Sequence, residues 1–325
     1  MRAWWSWYPL RVAAMVDVVV FALWCLVVGM VPVEENLAVI ALALVVAGST
    51  VAALSCSRSS ARAWALAAGV RFSPTIEVEL HRHLCRMRVA RTVGVTGAMA
   101  TSLMVGAHYN ADPEAFPSFL DGWNDVLGGY WLPALGYVIG SVLVEVTKRD
   151  SVTGSPHAAV LSRRRLEDFL DPRVRDLLGF SVVVFALAIA VAALAPRSGE
   201  PTGAAAPLVT VILPAAVAAL AATAALWVCR RREQAADEAG LAFEELTRAA
   251  TANALAGVTI AMLAEAAARV VWYPATSGPV SGWLVAPFGL FAVVGLVVWI
   301  GCGSKLAIRN RRIGKLRAAA GIASA

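Results

Sequence analysis

Eight apolar runs divide the chain, at approximately 12–31, 37–55, 93–109, 130–146, 177–195, 207–228, 252–271 and 283–301. Each approaches the roughly 20 residues that a helix needs to cross the hydrocarbon core of a bilayer. The third and seventh are the least hydrophobic, being rich in Gly, Ala, Thr and Ser. The pattern predicts an all-α integral membrane protein of about eight transmembrane helices.

The runs also repeat. Arg11 to Pro32 returns 164 residues later as Arg175 to Pro196, sharing the Arg, the string VVVFAL, a later Val and the closing Pro. Gly94-Val95-Thr96 with Ala98-Met99 returns as Gly257-Val258-Thr259 with Ala261-Met262, and Trp131-Leu132 is echoed more weakly by Trp283-Leu284. Self-similarity at a long period signals a duplicated unit. Four spans per half give both halves the same orientation, so the two repeats are expected to be parallel, related by a pseudo-twofold axis along the membrane normal. The organisation that follows is a first four-helix repeat over 1–146, a basic linker over 147–176, and a second four-helix repeat with a basic tail over 177–325.

Polar residues beside two of the runs extend the helices. Ser73-Pro74 resembles a helix start, and Glu77 and Glu79 follow in the early turns, where carboxylates suit the helix dipole. Ile76, Leu80, Leu84 and Met87 then mark one face. With no breaker before the third run, one helix is expected from about Pro74 to His108. Glu244 and Arg248, paired at i,i+4, lead into the seventh run in the same way. The third and seventh helices should therefore protrude two to four turns into the cytoplasm, and Leu80, Leu84 and Met87 become a candidate docking face for a partner, or a face packed within the chain. Gly136 and Gly140 form GxxxG in the fourth run, and the sixth (AAVAALAATAAL) is nearly all small residues. Small residues allow close helix approach in lipid, which places the sixth span at the centre.

Charge sets the orientation. With the N-terminus inside, the cytoplasmic segments collect 26 of the 28 Lys and Arg residues, whereas the outer loops carry Glu34, Glu35, Asp112, Glu114, Asp121, Asp125 and Glu200. By the positive-inside rule both termini are cytoplasmic, and the expected location is the cytoplasmic (inner) membrane. The same basic residues account for the net charge of +6, so no nucleic-acid partner is called for. The five cysteines include none in an outer segment, which argues against a disulfide framework. The N-terminal apolar stretch is too long for a signal-peptide core and is read as a retained span behind an aromatic belt of Trp4, Trp5, Trp7 and Tyr8. The Ala/Val/Arg-rich composition points to a high-GC bacterial source. In the linker, Leu166, Phe169 and Leu170 beside Arg163, Arg164 and Arg165 could lie on an anionic leaflet; the plainer reading is a basic loop.

Ionisable residues inside spans are costly and mark candidate chemistry. Asp17 lies in the first span, Glu265 and Arg269 are four apart near the outer end of the seventh, and Glu145 ends the fourth. Asp17 or Glu265 would serve as a proton- or cation-coupling carboxylate; the alternative is that Glu265 and Arg269 neutralise each other. Glu265 stands about 25 Å of helix from Arg248, and Asp17 only about 9 Å from Arg11, so the two carboxylates are not one dyad. His81-x-His83-x-Cys85 resembles a metal cluster, yet His81 and Cys85 share a helical face while His83 points away. No metal or other cofactor is expected. The outer loop from Tyr109 to Gly129 has no equally long counterpart in the second half; its Asp112, Glu114, Asp121, Trp123 and Asp125 would hold a cationic ligand or pack at the interface.

HExxH, GxSxG and P-loop motifs are absent, so the chain is not read as an enzyme. The expected function is a non-catalytic, permease-like subunit of a transport or export system working with a separate cytoplasmic ATPase or another membrane subunit. Alternatives are a membrane scaffold, sensor or immunity protein, or a self-sufficient secondary transporter coupled through Asp17. Self-association into a homo-oligomer fits any of them, and the lipid bilayer is the partner common to all.

Overall fold

The computed structural model describes residues 47–48, 74–111, 130–147, 166, 169–194, 205–231, 238–277 and 282–304. Among these it has six helices and no strand: α1 (Pro74–Ala111), α2 (Trp131–Val146), α3 (Pro172–Leu194), α4 (Ala205–Arg230), α5 (Glu238–Ser277) and α6 (Gly282–Ser304). Asp17, the first apolar run, all of the second but Ala47 and Gly48, and the outer-loop residues Asp112, Glu114, Asp121, Trp123 and Asp125 lie outside the described residues.

Three helices are long and apolar enough to cross a membrane: α3 over Pro172–Ala193, α4 over Thr210–Arg230 and α5 over Phe243–Trp272. Trp131–Val146 and Ala286–Cys302 are shorter apolar helices. Their outward faces carry Val183, Leu187, Ile212, Leu290 and Val297, all exposed. Large apolar side chains standing together on an outer surface are stable against lipid tails, not water, so the bilayer is the environment this chain is built for. With 38 and 40 residues, α1 and α5 are about 57 and 60 Å long, roughly twice the hydrocarbon thickness. The helix expected from about Pro74 to His108 thus begins at Pro74, where a missing N–H costs nothing, and continues to Ala111.

The central element is α5, not α4. Of its membrane-length window 78% is buried, against 39% for α4 and 11% for α3. The sixth run was expected at the centre because it is rich in small residues. However, α4 also exposes Ile212, Leu220 and Trp227, which belong against lipid. On α5 the small residues occupy every face: Ala249, Ala252, Ala254, Ala261, Ala264, Ala266 and Ala267 are all fully buried. Neighbours therefore close in from all sides, and α3, α4 and α6 pack directly on α5, with α1 and α2 touching it more lightly.

The two antiparallel partners of the first half meet where side chains vanish. A Cβ on Gly94 would fall on the carbonyl of Gly136, one on Gly136 on the carbonyl of Gly94, and one on Gly140 on that of Ala90. The GxxxG of the fourth run is thus the α1–α2 crossing. Gly257, which opens the same Gly-Val-Thr string as Gly94, meets Trp299 and Cys302 of α6. Thr96 lies against Gly48, and its counterpart Thr259 reaches the Ala218 carbonyl at 3.5 Å.

At the Arg248 end of the bundle two apolar segments face inward. Leu80 is fully buried and Met87 nearly so, with Leu84 half-buried. That face is packed within the chain, one of the two readings the sequence left open; Glu79, Arg82 and Arg86 are exposed in the same segment. Phe169 and Leu170 likewise do not lie on a leaflet. Both are buried against Ala249, Ala252 and Cys302, because burial against α5 removes more apolar surface from water than a leaflet edge would. The helix that follows starts at Pro172, earlier than the expected 177. Asp171 caps it, its Oδ1 accepting the Arg173 N–H at 2.9 Å, with Pro172 in the first helical position.

Candidate functional site

Polar side chains inside a membrane-length helix must be satisfied by one another, and on α5 they gather at two depths. Thr251 and Glu265 are 14 residues apart, which places them about 21 Å apart along the axis and within about 40° of one face. Between them on that stripe lie Leu255, Val258 and Met262, all buried. This stripe joins one apolar cluster with Trp131, Ala134 and Val138 of α2 and with Val217, Ala221 and Ala225 of α4. The α2–α5 seam is therefore dry in the middle and polar at each end.

At the Glu145 end four elements converge. Glu145, the penultimate residue of α2, is only 2% exposed. Its Oε1 accepts a hydrogen bond from Thr251 Oγ1 at 3.0 Å and lies 3.9 Å from His83 Nε2 of α1. The His83 ring meets Phe243 of α5 edge-on at 6.1 Å. Arginines satisfy the carbonyls that helix ends leave open: Arg231 donates to the Glu145 carbonyl, and Arg248 donates to the Arg231 carbonyl at 2.8 Å. Arg248 also pairs with Glu244 at 3.1 Å, the i,i+4 contact the sequence foretold. One turn further along the α1–α2 seam, Arg91 donates to Ser141 Oγ at 2.9 Å and stacks 4.8 Å over the Tyr137 ring.

At the far end Glu265 and Arg269 form the expected pair, with Arg269 Nε and Nη2 both 3.0 Å from Glu265 Oε1. Glu265 Oε2 is buried without a hydrogen-bond partner among the described residues. Tyr130 stands beside the pair and donates its hydroxyl to the Ala292 carbonyl of α6 at 3.2 Å.

A third polar contact serves architecture. Asn253 donates to the Phe169 and Ala249 carbonyls at 2.9 and 2.7 Å, and its Oδ1 accepts the Asp171 N–H at 2.9 Å. One buried amide thus fastens the start of α3 to the central helix.

Helical spacing separates the motif residues His81 and Cys85 from His83. The Cys85 sulfur is 3.7 Å from His81 Nδ1, while His83 turns inward to Glu145. No three His, Cys, Asp or Glu side chains converge on one point among the described residues. Thr251 and His83 beside the Glu145 carboxylate, Arg231 on the Glu145 backbone carbonyl and Tyr130 beside Glu265 were not foreseen. Their only sequence signal is a polar residue within or beside an apolar run, which says nothing about which helix it faces. No family model, curated protein or solved structure matches this chain.

Proposed function

We propose that the chain is a non-catalytic, permease-like membrane subunit of a transport or export system whose ATPase is a separate cytoplasmic protein. The observation that supports this reading is the α2–α5 seam, with buried ionisable groups at both ends and an apolar plug between. Charged groups held inside spans mark substrate or ion pathways, and a dry middle is what a closed pathway requires. On the positive-inside rule the Arg248 end is cytoplasmic. There α1 and α5 extend past the spans, and Glu79, Arg82 and Arg86 form the exposed, charged rim available to a partner. The sequence repeat supports reading the two halves as parallel copies around a normal axis.

Pull-down of the tagged chain from native membranes in mild detergent tests this. The expected outcome is a stoichiometric partner with ATP hydrolysis activity, lost on Arg82→Glu with Arg86→Glu while the chain stays folded. A chain that comes alone, or only with itself, overturns the ATPase-linked reading. A self-sufficient transporter is the second reading, favoured by the open Oε2 of buried Glu265; Asp17, first in line for that role in the sequence, lies outside the described residues.

A further inference from the structure

The carboxylate of Glu145 has an unusual set of neighbours for a group so deeply buried. It accepts one neutral hydrogen bond, from Thr251. Among the described residues no Arg or Lys nitrogen is in ion-pair contact with it: Arg231 donates to the Glu145 backbone carbonyl, and Arg248, which donates to Glu244 and the Arg231 carbonyl, attracts it only from further off. Its one partner able to switch charge is His83, 3.9 Å away and itself buried. An ionised carboxylate with no cation in contact is costly in such a place, and imidazole is the side chain whose charge changes between about pH 5 and 8.

We propose that His83, Glu145 and Thr251 form a proton-binding site that fastens α1 to α2 and α5. With the proton bound, the imidazolium and carboxylate attract across the α1–α2 seam and Thr251 ties the carboxylate to the central helix. Without it, the carboxylate faces a neutral ring, and the seam keeps the Gly94–Gly136 and Ala90–Gly140 contacts and the Arg91–Ser141 hydrogen bond. The charged groups facing the site are Arg231 after α4, and Glu244, Glu245 and Arg248 on α5; from α1, Arg91 lies two turns on and is engaged with Ser141 and Tyr137. The position of the site, where the cytoplasmic extensions of α1 and α5 join the spans, makes the internal pH its natural input. The inference does not depend on the transport reading.

The test is the thermal unfolding midpoint of the purified full chain in detergent, followed by tryptophan fluorescence at about pH 6 and about pH 8. The ion pair exists below the titration of His83 and disappears above it, so the wild-type midpoint is expected to be higher at the lower pH by about 2–4 °C. His83→Gln and Glu145→Gln should each abolish the difference. His83→Lys keeps a cation at both pH values and should give a pH-independent midpoint no lower than the wild type shows near pH 8. His81→Gln, on the opposite face, should retain the wild-type difference. A wild-type protein without the difference, or one whose difference survives His83→Gln, overturns the proposal, and the second outcome stands even if Glu145→Gln fails to fold.

Discussion

Glu265→Gln would take from the Arg269 guanidinium its carboxylate partner at 3.0 Å, and breaking a buried pair from one side costs about 3 kcal/mol or more. Glu265→Gln with Arg269→Gln should cost clearly less than Glu265→Gln alone, because neither variant side chain then leaves a buried charge. Unfolding in a denaturing detergent series measures both; equal losses would mean that Arg269 finds another partner. This pair was legible at the residue scale because i,i+4 spacing on a helix is itself a distance. The same holds for Glu244 and Arg248. Glu145 was legible only as an expensive residue at a helix end. Its partners His83 and Thr251 are 62 and 106 residues away in sequence, and no periodicity within one helix reports on another. Asn253 is the opposite case: a polar residue in an Ala-rich run, silent in the sequence, that closes three hydrogen bonds and fixes the entry to α3.

Helices were predicted where apolar runs reached membrane length, and the described runs are helical because an unsatisfied backbone group in lipid is too costly to leave open. Interfaces were harder. Gly136 and Gly140 announced a close crossing, yet the partner, α1, emerges only in three dimensions. Gly97 provides a built-in comparison, since a Cβ there would meet nothing within 4 Å. Gly94→Leu is expected to push α1 away from α2, seen as an increase in the distance between spin labels placed on the two helices. Gly97→Ala should leave that distance and the unfolding midpoint unchanged. If Gly94→Leu left the spacing intact, the crossing would not depend on backbone contact. The exchange of α4 for α5 at the centre has a related cause. Small-residue content measures how near neighbours can come, but centrality depends on whether any face is left for lipid, and α4 keeps Ile212, Leu220 and Trp227 for that purpose.

For the molecule as a whole, the distribution of exposed apolar residues gives a direct check on its setting. A nitroxide at Val183, which is 64% exposed on α3, should relax strongly with lipid-soluble oxygen and weakly with an aqueous nickel chelate. One at Val258, fully buried on α5, should respond little to either. Strong nickel accessibility at Val183 would remove α3 from the bilayer. Sequence alone determined the membrane class, the positions of the described helices, the two extended helices and the two i,i+4 ion pairs. All of these follow from hydropathy and spacing along one segment, which is information local to the chain. Tertiary structure decided which helix is central, that Leu80 and Met87 face inward, and that Glu145 meets His83 and Thr251. Those outcomes depend on which surfaces close against each other, a competition among whole helices for burial and for lipid that no single segment encodes.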